Sequence, residues 1–367
     1  MKQRIKRIFE SLGEGKPDAV FINYGGVKDY SFFYVTGFTG GSFEGSSAII
    51  RRDGSCAALI PQLEENTAVK ENRQNKLGLD VKVFRSGKQN IELLKKELKG
   101  CGKIGVDESA MSVATFRRLK GEIGGKYSDA SAAVRDARAI KDGIEIAKIK
   151  KAVKIAEDAL ENIAEAGESV FRKGVGENDI AAELNFQINK MGGTNSFPSI
   201  VAFGNNAAEP HYSTGKSKLH GQEMVLVDWG VKYERYCSDL TRTFVFGRMS
   251  QKQQRMLEVV EDAQEVAFDL MREGVDAAVV HAAVKDFIER TEFRGKFVHS
   301  TGHSLGLQVH DGKTLGGDKF QLKEGMVFTV EPGVYVKGTG GVRIEDDVLI
   351  RKNGIEKLSR KNRFFEL

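Results

Sequence analysis

"EMVLVDWGVKYERYCSDLTRTFVF" (223–246) reads as a strand, a tight return and a second strand, and the chain repeats that pattern in "GMVFTVEPGVYVKGTGGVRIEDDVLI" (325–350). Each copy opens on an apolar run, sets an acid at its end, and carries another acid on the strand that follows. The acids are Asp228 and Asp239 in the first copy, Glu331 and Glu345 in the second. Glu331 lies 103 residues beyond Asp228, and Glu345 lies 106 beyond Asp239. That near-constant offset predicts two similar halves facing each other across one site. A carboxylate ending an apolar strand is ordinarily solvated, so one such acid implies nothing. A hairpin turning near Tyr233-Glu234, however, sets Asp228 opposite Asp239 with Cβ atoms ~5 Å apart. Two acids that close repel and shift each other's pKa unless a cation lies between them. The same holds for Glu331 and Glu345, and four acids on two facing hairpins call for a pair of divalent cations.

Between the two copies lies "HSTGHSLGLQVHD" (299–311), which holds three of the six histidines. Oxygen-only sites suit Mg²⁺ or Ca²⁺, whereas one imidazole among carboxylates moves the preference toward Mn, Fe, Co or Zn. Four carboxylates and one histidine suffice for a dinuclear site with metals ~3.5–4 Å apart. His303, in the glycine-flanked "TGHSLG", is the expected ligand. His299 and His310 then stand beside the metals or face a substrate.

The remaining sequence sets the frame. A chain of 367 residues exceeds one compact core and predicts two domains. Lysine and arginine number 56 against 51 acids, a net +5 without a long basic block, which gives no support to a nucleic-acid partner. Three scattered cysteines form no CxxC pair, so a disulfide framework or zinc ribbon is not expected, and a reducing compartment is. "MKQRIKRIFESLGEG" is an amphipathic helix pattern without a signal peptide's apolar core, and no apolar run approaches the ~20 residues that span a bilayer. The expectation is a cytoplasmic, soluble protein with no membrane partner.

Residues 1–135 alternate strand-like runs, such as "DAVFINY" (18–24), with helical patterns. Asp53-Gly54 is a hairpin signal. This is the pattern of an α/β domain. "DARAIKDG" (136–143) is a polar join. Residues 144–367 then begin with a long amphipathic helix over 144–166. A second helix carries Ile180, Leu184 and Ile188. A third opens on the capping box Ser250/Gln253 and runs to Gly274, and a fourth follows Asp276.

Taken in order, "DWGVKYERYCSD", "HSTGHSLGLQVHD", "VEPGVY" and "GVRIED" resemble the pita-bread metallopeptidases, in the Xaa-Pro aminopeptidase and prolidase branch. "YVTGFTGGS" and "DARAIKDGIEIAKIKKA" resemble that branch's N-terminal domain and inter-domain join. The resemblance implies an α+β chain: an α/β creatinase-type N-terminal domain ahead of a pita-bread domain of two pseudo-symmetric halves. It implies that Asp228, Asp239, His303, Glu331 and Glu345 hold two divalent metal ions, with manganese first and cobalt, zinc or iron as alternatives. Glu331 would double as proton shuttle, and His310 would face the oxyanion. His211, in "EPHYSTG", would sit by the leaving nitrogen. His299 and Arg343 would complete the substrate side, Arg343 also pairing with acids of the metal site. A homodimer is implied as well.

Within that branch "VHD" (309–311) tilts the reading toward an Xaa-Pro aminopeptidase, taking peptides with proline second. The alternative is a prolidase that cleaves Xaa-Pro dipeptides. A creatinase-like hydrolase and a non-catalytic binding module share the fold but lack intact ligand positions, and here all five are filled.

Overall fold

The computed structural model describes residues 1–359, apart from 14, 26 and 318. The chain divides into Met1–Arg138 and Ala139–Leu367.

The first unit is built on a six-stranded sheet of β1 (Ala19–Tyr24), β2 (Ser46–Arg51), β3 (Cys56–Pro61), β4 (Asp80–Phe84), β5 (Lys103–Val106) and β6 (Lys126–Asp129), in the order β4-β3-β2-β1-β5-β6. The β2–β3 hairpin turns at Asp53-Gly54, where Gly54 takes φ +86°, a left-handed conformation that glycine adopts at no steric cost. Ala19, Val20, Phe21 and Ile22 on β1 are all buried, so both faces of the sheet are covered. Helices α1 (Lys2–Ser11) to α6 (Ser131–Ala139) supply the cover; the others are α2 (Ser31–Thr36), α3 (Glu65–Gln74), α4 (Gly87–Glu97) and α5 (Val113–Ile123). The polar join expected over 136–143 thus begins as the last turn of a helix.

The second unit contains the repeated pattern. Helices α7 (Gly143–Glu165) and α8 (Glu177–Lys190) precede a sheet of β8 (Ile200–Phe203), β9 (Glu223–Trp229) and β12 (Leu240–Phe246). The short β7 (Thr194–Asn195) joins β10 (Val231–Tyr233) and β11 (Tyr236–Cys237). Helices α9 (Gln251–Leu270) and α10 (Ala277–Glu289) then precede β15 (Val327–Val330), β18 (Asp346–Arg351) and β19 (Gly354–Lys357). The pairs β13 (Gly302–His303) with β14 (Thr314–Leu315), and β16 (Gly333–Val336) with β17 (Gly340–Arg343), complete this half. Matching bridges, Gly176 with Lys218 and Asp276 with Gln321, tie the start of each half's second helix to its own loop. The two sheets meet at a bridge between Thr241 and Glu345. Helix α9 stops at Leu270, short of Gly274, because buried Met271 leaves the helical region at ψ 111°.

Each half has its own apolar core. In the first, Ala156, Leu160 and Ile163 of α7 pack with Leu184 and Ile188 of α8 against Val225, Val227 and Phe244. Trp229, the one tryptophan, is 1% exposed there and donates Nε1–H to the Ala156 carbonyl at 2.9 Å. Its indole thus pins the strand carrying Asp228 to α7. Phe244 stacks edge-on against Phe171 at 5.7 Å. Phe244→Ala should therefore cost this unit about 3–5 kcal/mol. Denaturant unfolding followed by Trp229 fluorescence measures it, and a loss under about 1 kcal/mol would contradict this core assignment.

Candidate metal centre

β9 and β12 pair with Trp229 opposite Leu240 and Asp228 opposite Thr241. The same register continues through Lys232–Cys237 to the turn at Glu234-Arg235. Asp239 is therefore opposite Gly230, and Asp228 is its diagonal neighbour on the same face. The directly opposed pair expected from the sequence is displaced by two residues. Gly230 provides the room: a Cβ there would lie 2.1 Å from Ser196 Oγ and 2.3 Å from the Ser238 carbonyl. In the second half the register runs from Val330–Asp346 to Gly333–Arg343, which leaves Glu331 and Glu345 facing each other across a break in the ladder. Buried Gln264 of α9 spans that break, donating Nε2–H to the carbonyls of Val330 (2.9 Å) and Ile344 (3.3 Å). It fixes the backbone immediately before both glutamates.

β13 brings in the histidine. Gly302 lies so close to β15 that a Cβ would meet the Thr329 carbonyl at 2.0 Å. Beside it, the His303 amide donates to Thr329 Oγ1 at 3.0 Å. His303 Nε2 then stands 3.5 Å from Asp239 Oδ2 and 3.5 Å from Glu331 Oε1. Ligand atoms of Asp239, His303 and Glu345 all lie within 4.8 Å of one another. Asp228, Asp239, His303, Glu331 and Glu345 line one cavity of about 410 Å³, shared with His211, His299, His310 and Arg343. The structure thus gathers every candidate site residue named from the sequence around one cavity.

The acids are held from behind. Thr241 Oγ1–H donates to Glu345 Oε2 at 2.6 Å, and Arg343 Nε–H to Thr241 Oγ1 at 3.1 Å. A second guanidinium nitrogen of Arg343 reaches Asp228 Oδ2 at 2.7 Å. Burial, followed by mutual repulsion, pushes the Asp239 and Glu345 carboxyls well above the usual carboxylate range. Asp228 is also raised by burial, though Arg343 opposes the shift. Asp228 Oδ1 is buried and accepts no hydrogen bond among the described residues. An orphaned carboxylate oxygen in a cluster of raised acids around one imidazole fits a bound cation, because burying unpaired anionic oxygen is costly.

The histidines differ in freedom. His299 has both ring nitrogens engaged, Nδ1 with the Ser300 carbonyl and Nε2 with Tyr335 Oη, each at 2.8 Å. Arg343 donates to that same Tyr335 oxygen at 2.9 Å. Burial lowers the His299 pKa, and a neutral ring that gives its Nδ1–H to the Ser300 carbonyl accepts the Tyr335 hydroxyl proton at Nε2, so both of its nitrogens are occupied. His310 is exposed, its ring centroid 4.1 Å from that of His303. Partial desolvation of its ring, then the neighbouring His303, lower its pKa. His211 is exposed at the cavity wall.

Comparison with known proteins places the chain. The model of metallopeptidase family M24 matches residues 147–352, and that of the creatinase/prolidase N-terminal domain matches residues 4–140. The chain belongs to metallopeptidase family M24. It is 31% identical to the Xaa-Pro dipeptidase of Pyrococcus furiosus, over 99% of both chains. Among solved structures it resembles the X-Pro aminopeptidase of Thermotoga maritima, with a TM-score of 0.89 and 30% identity over 99% of this chain and 100% of that one. It also resembles the prolidase of Pyrococcus horikoshii, with a TM-score of 0.86 and 30% identity over 98% and 99%. The creatinase-type N-terminal and pita-bread C-terminal architecture is therefore that of the family, and the protein is a metal-dependent peptidase.

Several groups in this M24 site escaped the sequence reading. Asp347 is fully buried, its Oδ2 accepting from the Asp239 amide at 3.1 Å. Asp346 pairs with buried Arg242 at 2.9 Å. The run Glu345-Asp346-Asp347 carried the signal, since three successive acids at the start of a strand point to both faces and each needs a partner. Tyr335 had no such signal, because its role depends on the return of β16 toward His299.

Because the acids stay protonated well above their usual range, divalent metal must displace protons on binding. Titrating Mn²⁺ into metal-stripped protein near pH 6 should release protons, measured as a dependence of the heat on the buffer's ionisation enthalpy. Heat independent of buffer would show the acids already ionised.

Proposed function

We propose that the protein hydrolyses Xaa-Pro bonds with two divalent cations held by Asp228, Asp239, His303, Glu331 and Glu345. The observation carrying this reading is the convergence of those five side chains on one cavity, with a buried Asp228 oxygen lacking a partner. The single imidazole among four carboxylates favours Mn, with Co, Zn or Fe as alternatives. Bound there, the cations supply Lewis acidity and generate a water-derived nucleophile near neutral pH.

The chain's own groups do the remaining work. Glu331 accepts the proton of the attacking water and delivers it to the leaving nitrogen. His310, whose lowered pKa keeps it neutral at pH 7, donates a ring N–H to the developing oxyanion. His211 steadies the leaving side. Arg343 and Thr241 keep the Asp228 and Glu345 carboxylates aimed. A prolyl nitrogen in the amide has no N–H, so it is placed by shape and by protonation after attack rather than by hydrogen bonding beforehand.

The dipeptidase reading is the better supported of the two within this chemistry. The Pyrococcus similarities carry it over almost the whole chain, whereas the aminopeptidase reading leans on His310-Asp311 and the Thermotoga likeness. Metal-loaded protein should turn over an Xaa-Pro dipeptide with a higher kcat/KM than the matching Xaa-Pro-Yaa tripeptide, and the reverse order would return the assignment to an aminopeptidase. Asp239→Ala should lose both bound metal and hydrolysis while Trp229 fluorescence is unchanged; full turnover in that variant would end the dinuclear reading. The family resemblance also supports a cytoplasmic homodimer, which sedimentation equilibrium reading a single chain would remove.

A further inference from the structure

His211 stands on the loop from Gly204 to Ser217, exposed and without a hydrogen bond of its own among the described residues. Something else must hold it at the cavity. The loop converges on one side chain, Glu177, the first residue of α8, which is fully buried. Its Oε1 accepts from the Phe203 amide at 2.9 Å and from Asn206 Nδ2 at 2.8 Å. Its Oε2 accepts from Tyr212 Oη at 2.9 Å and from the Gly215 amide at 3.1 Å. These four donors bracket His211 in sequence, and Tyr212 is its immediate neighbour. A second tie comes from the metal side, where Arg343 donates to the Pro210 carbonyl at 3.3 Å.

A fully buried carboxylate is an expensive way to fill the junction of α8 with β8, since apolar residues of similar volume pack such a place as well or better. It is tolerated here because four donors saturate it and because the amino end of α8 favours negative charge. All four donors belong to the end of β8 and the one loop that carries His211. The geometry points to Glu177 as a positioning residue for substrate binding: it sets the loop, and the loop places the imidazole. This rests on the proposed role of His211 at the substrate.

The test is a double-mutant cycle on manganese-loaded protein with the dipeptide Ala-Pro, comparing wild type, Glu177→Gln, His211→Ala and the double variant. Glutamine keeps the shape but turns an acceptor oxygen into an N–H donor facing two donors. Glu177→Gln should keep the bound manganese of the wild type and show faster amide exchange over residues 203–215. Its kcat/KM should fall about tenfold, as expected when a substrate-holding group shifts by a fraction of an ångström. In the His211→Ala background the same change should alter kcat/KM by less than about twofold. Equal losses in both backgrounds, or unchanged exchange, would overturn the assignment of Glu177 alone. Undiminished kcat/KM in His211→Ala would overturn the role of His211 first, and that of Glu177 with it. If Glu177→Gln does not fold, Tyr212→Phe removes one of the four donors and keeps the ring. It should give a smaller loss that also vanishes without His211, and an additive loss would overturn the proposal.

Discussion

Repulsion among buried carboxylates is the constraint on which this molecule turns. Asp228, Asp239, Glu331 and Glu345 share one cavity with a single imidazole between them. Water is largely excluded from the first two and from Glu345, which are at most 9% exposed. Among the described residues, the guanidinium paired with one of these four carboxylates is that of Arg343, whose salt bridge is to Asp228. Uncompensated negative charge of this density is far costlier than any local packing preference. The fold must therefore be strong enough to hold the acids in place before cations arrive, and the cations must contribute once they do.

That requirement explains why the acid-bearing strands are anchored so heavily. Trp229 ties β9 to α7, Gln264 of α9 clamps the carbonyls ahead of Glu331 and Glu345, and the Asp239 amide is capped by Asp347. Each half packs its sheet against its own helix pair, with Met224 and Val245 of the first half's strands also reaching the second half's core. The halves meet at the bridge between Thr241 and Glu345, where the Thr241 hydroxyl also holds the Glu345 carboxylate. The structural seam and the chemical centre coincide.

The acids, the clustered histidines and the halving of the second unit were legible in the sequence because each violates a simple expectation: charge where apolar strands end, and rare histidines in close succession. The register was not. A hairpin turning at Tyr233-Glu234 and one turning at Glu234-Arg235 look alike in sequence, since neither Glu234 nor Arg235 is a residue that favours their left-handed φ of +43° and +73°. The two-residue displacement kept both acids on one face because strand periodicity is two, so the site survived an error in its details. Tyr335, Gln264 and Glu177 stayed hidden for a different reason. Their hydrogen bonds join segments up to 80 residues apart, and no spacing rule connects them.

The same contrast explains why the metal chemistry is easier to read than the substrate. In the proposed reading the cage is made of side chains with few alternatives, since changing any of the acids to a neutral residue would alter the charge that the cations balance. The proposed substrate side depends on position rather than type. His299 is locked by Tyr335 and the Ser300 carbonyl, His310 lies over His303 with freedom to donate, and His211 stands exposed on a loop held from Glu177. Three identical residue types thus have three different degrees of constraint, set by their neighbours. Whether a cavity accepts a free carboxylate after proline or a continuing chain depends on such placements, because the cleaved bond and its cations are common to both. Selection between dipeptide and longer peptide therefore rests on these loop-borne side chains rather than on the acids.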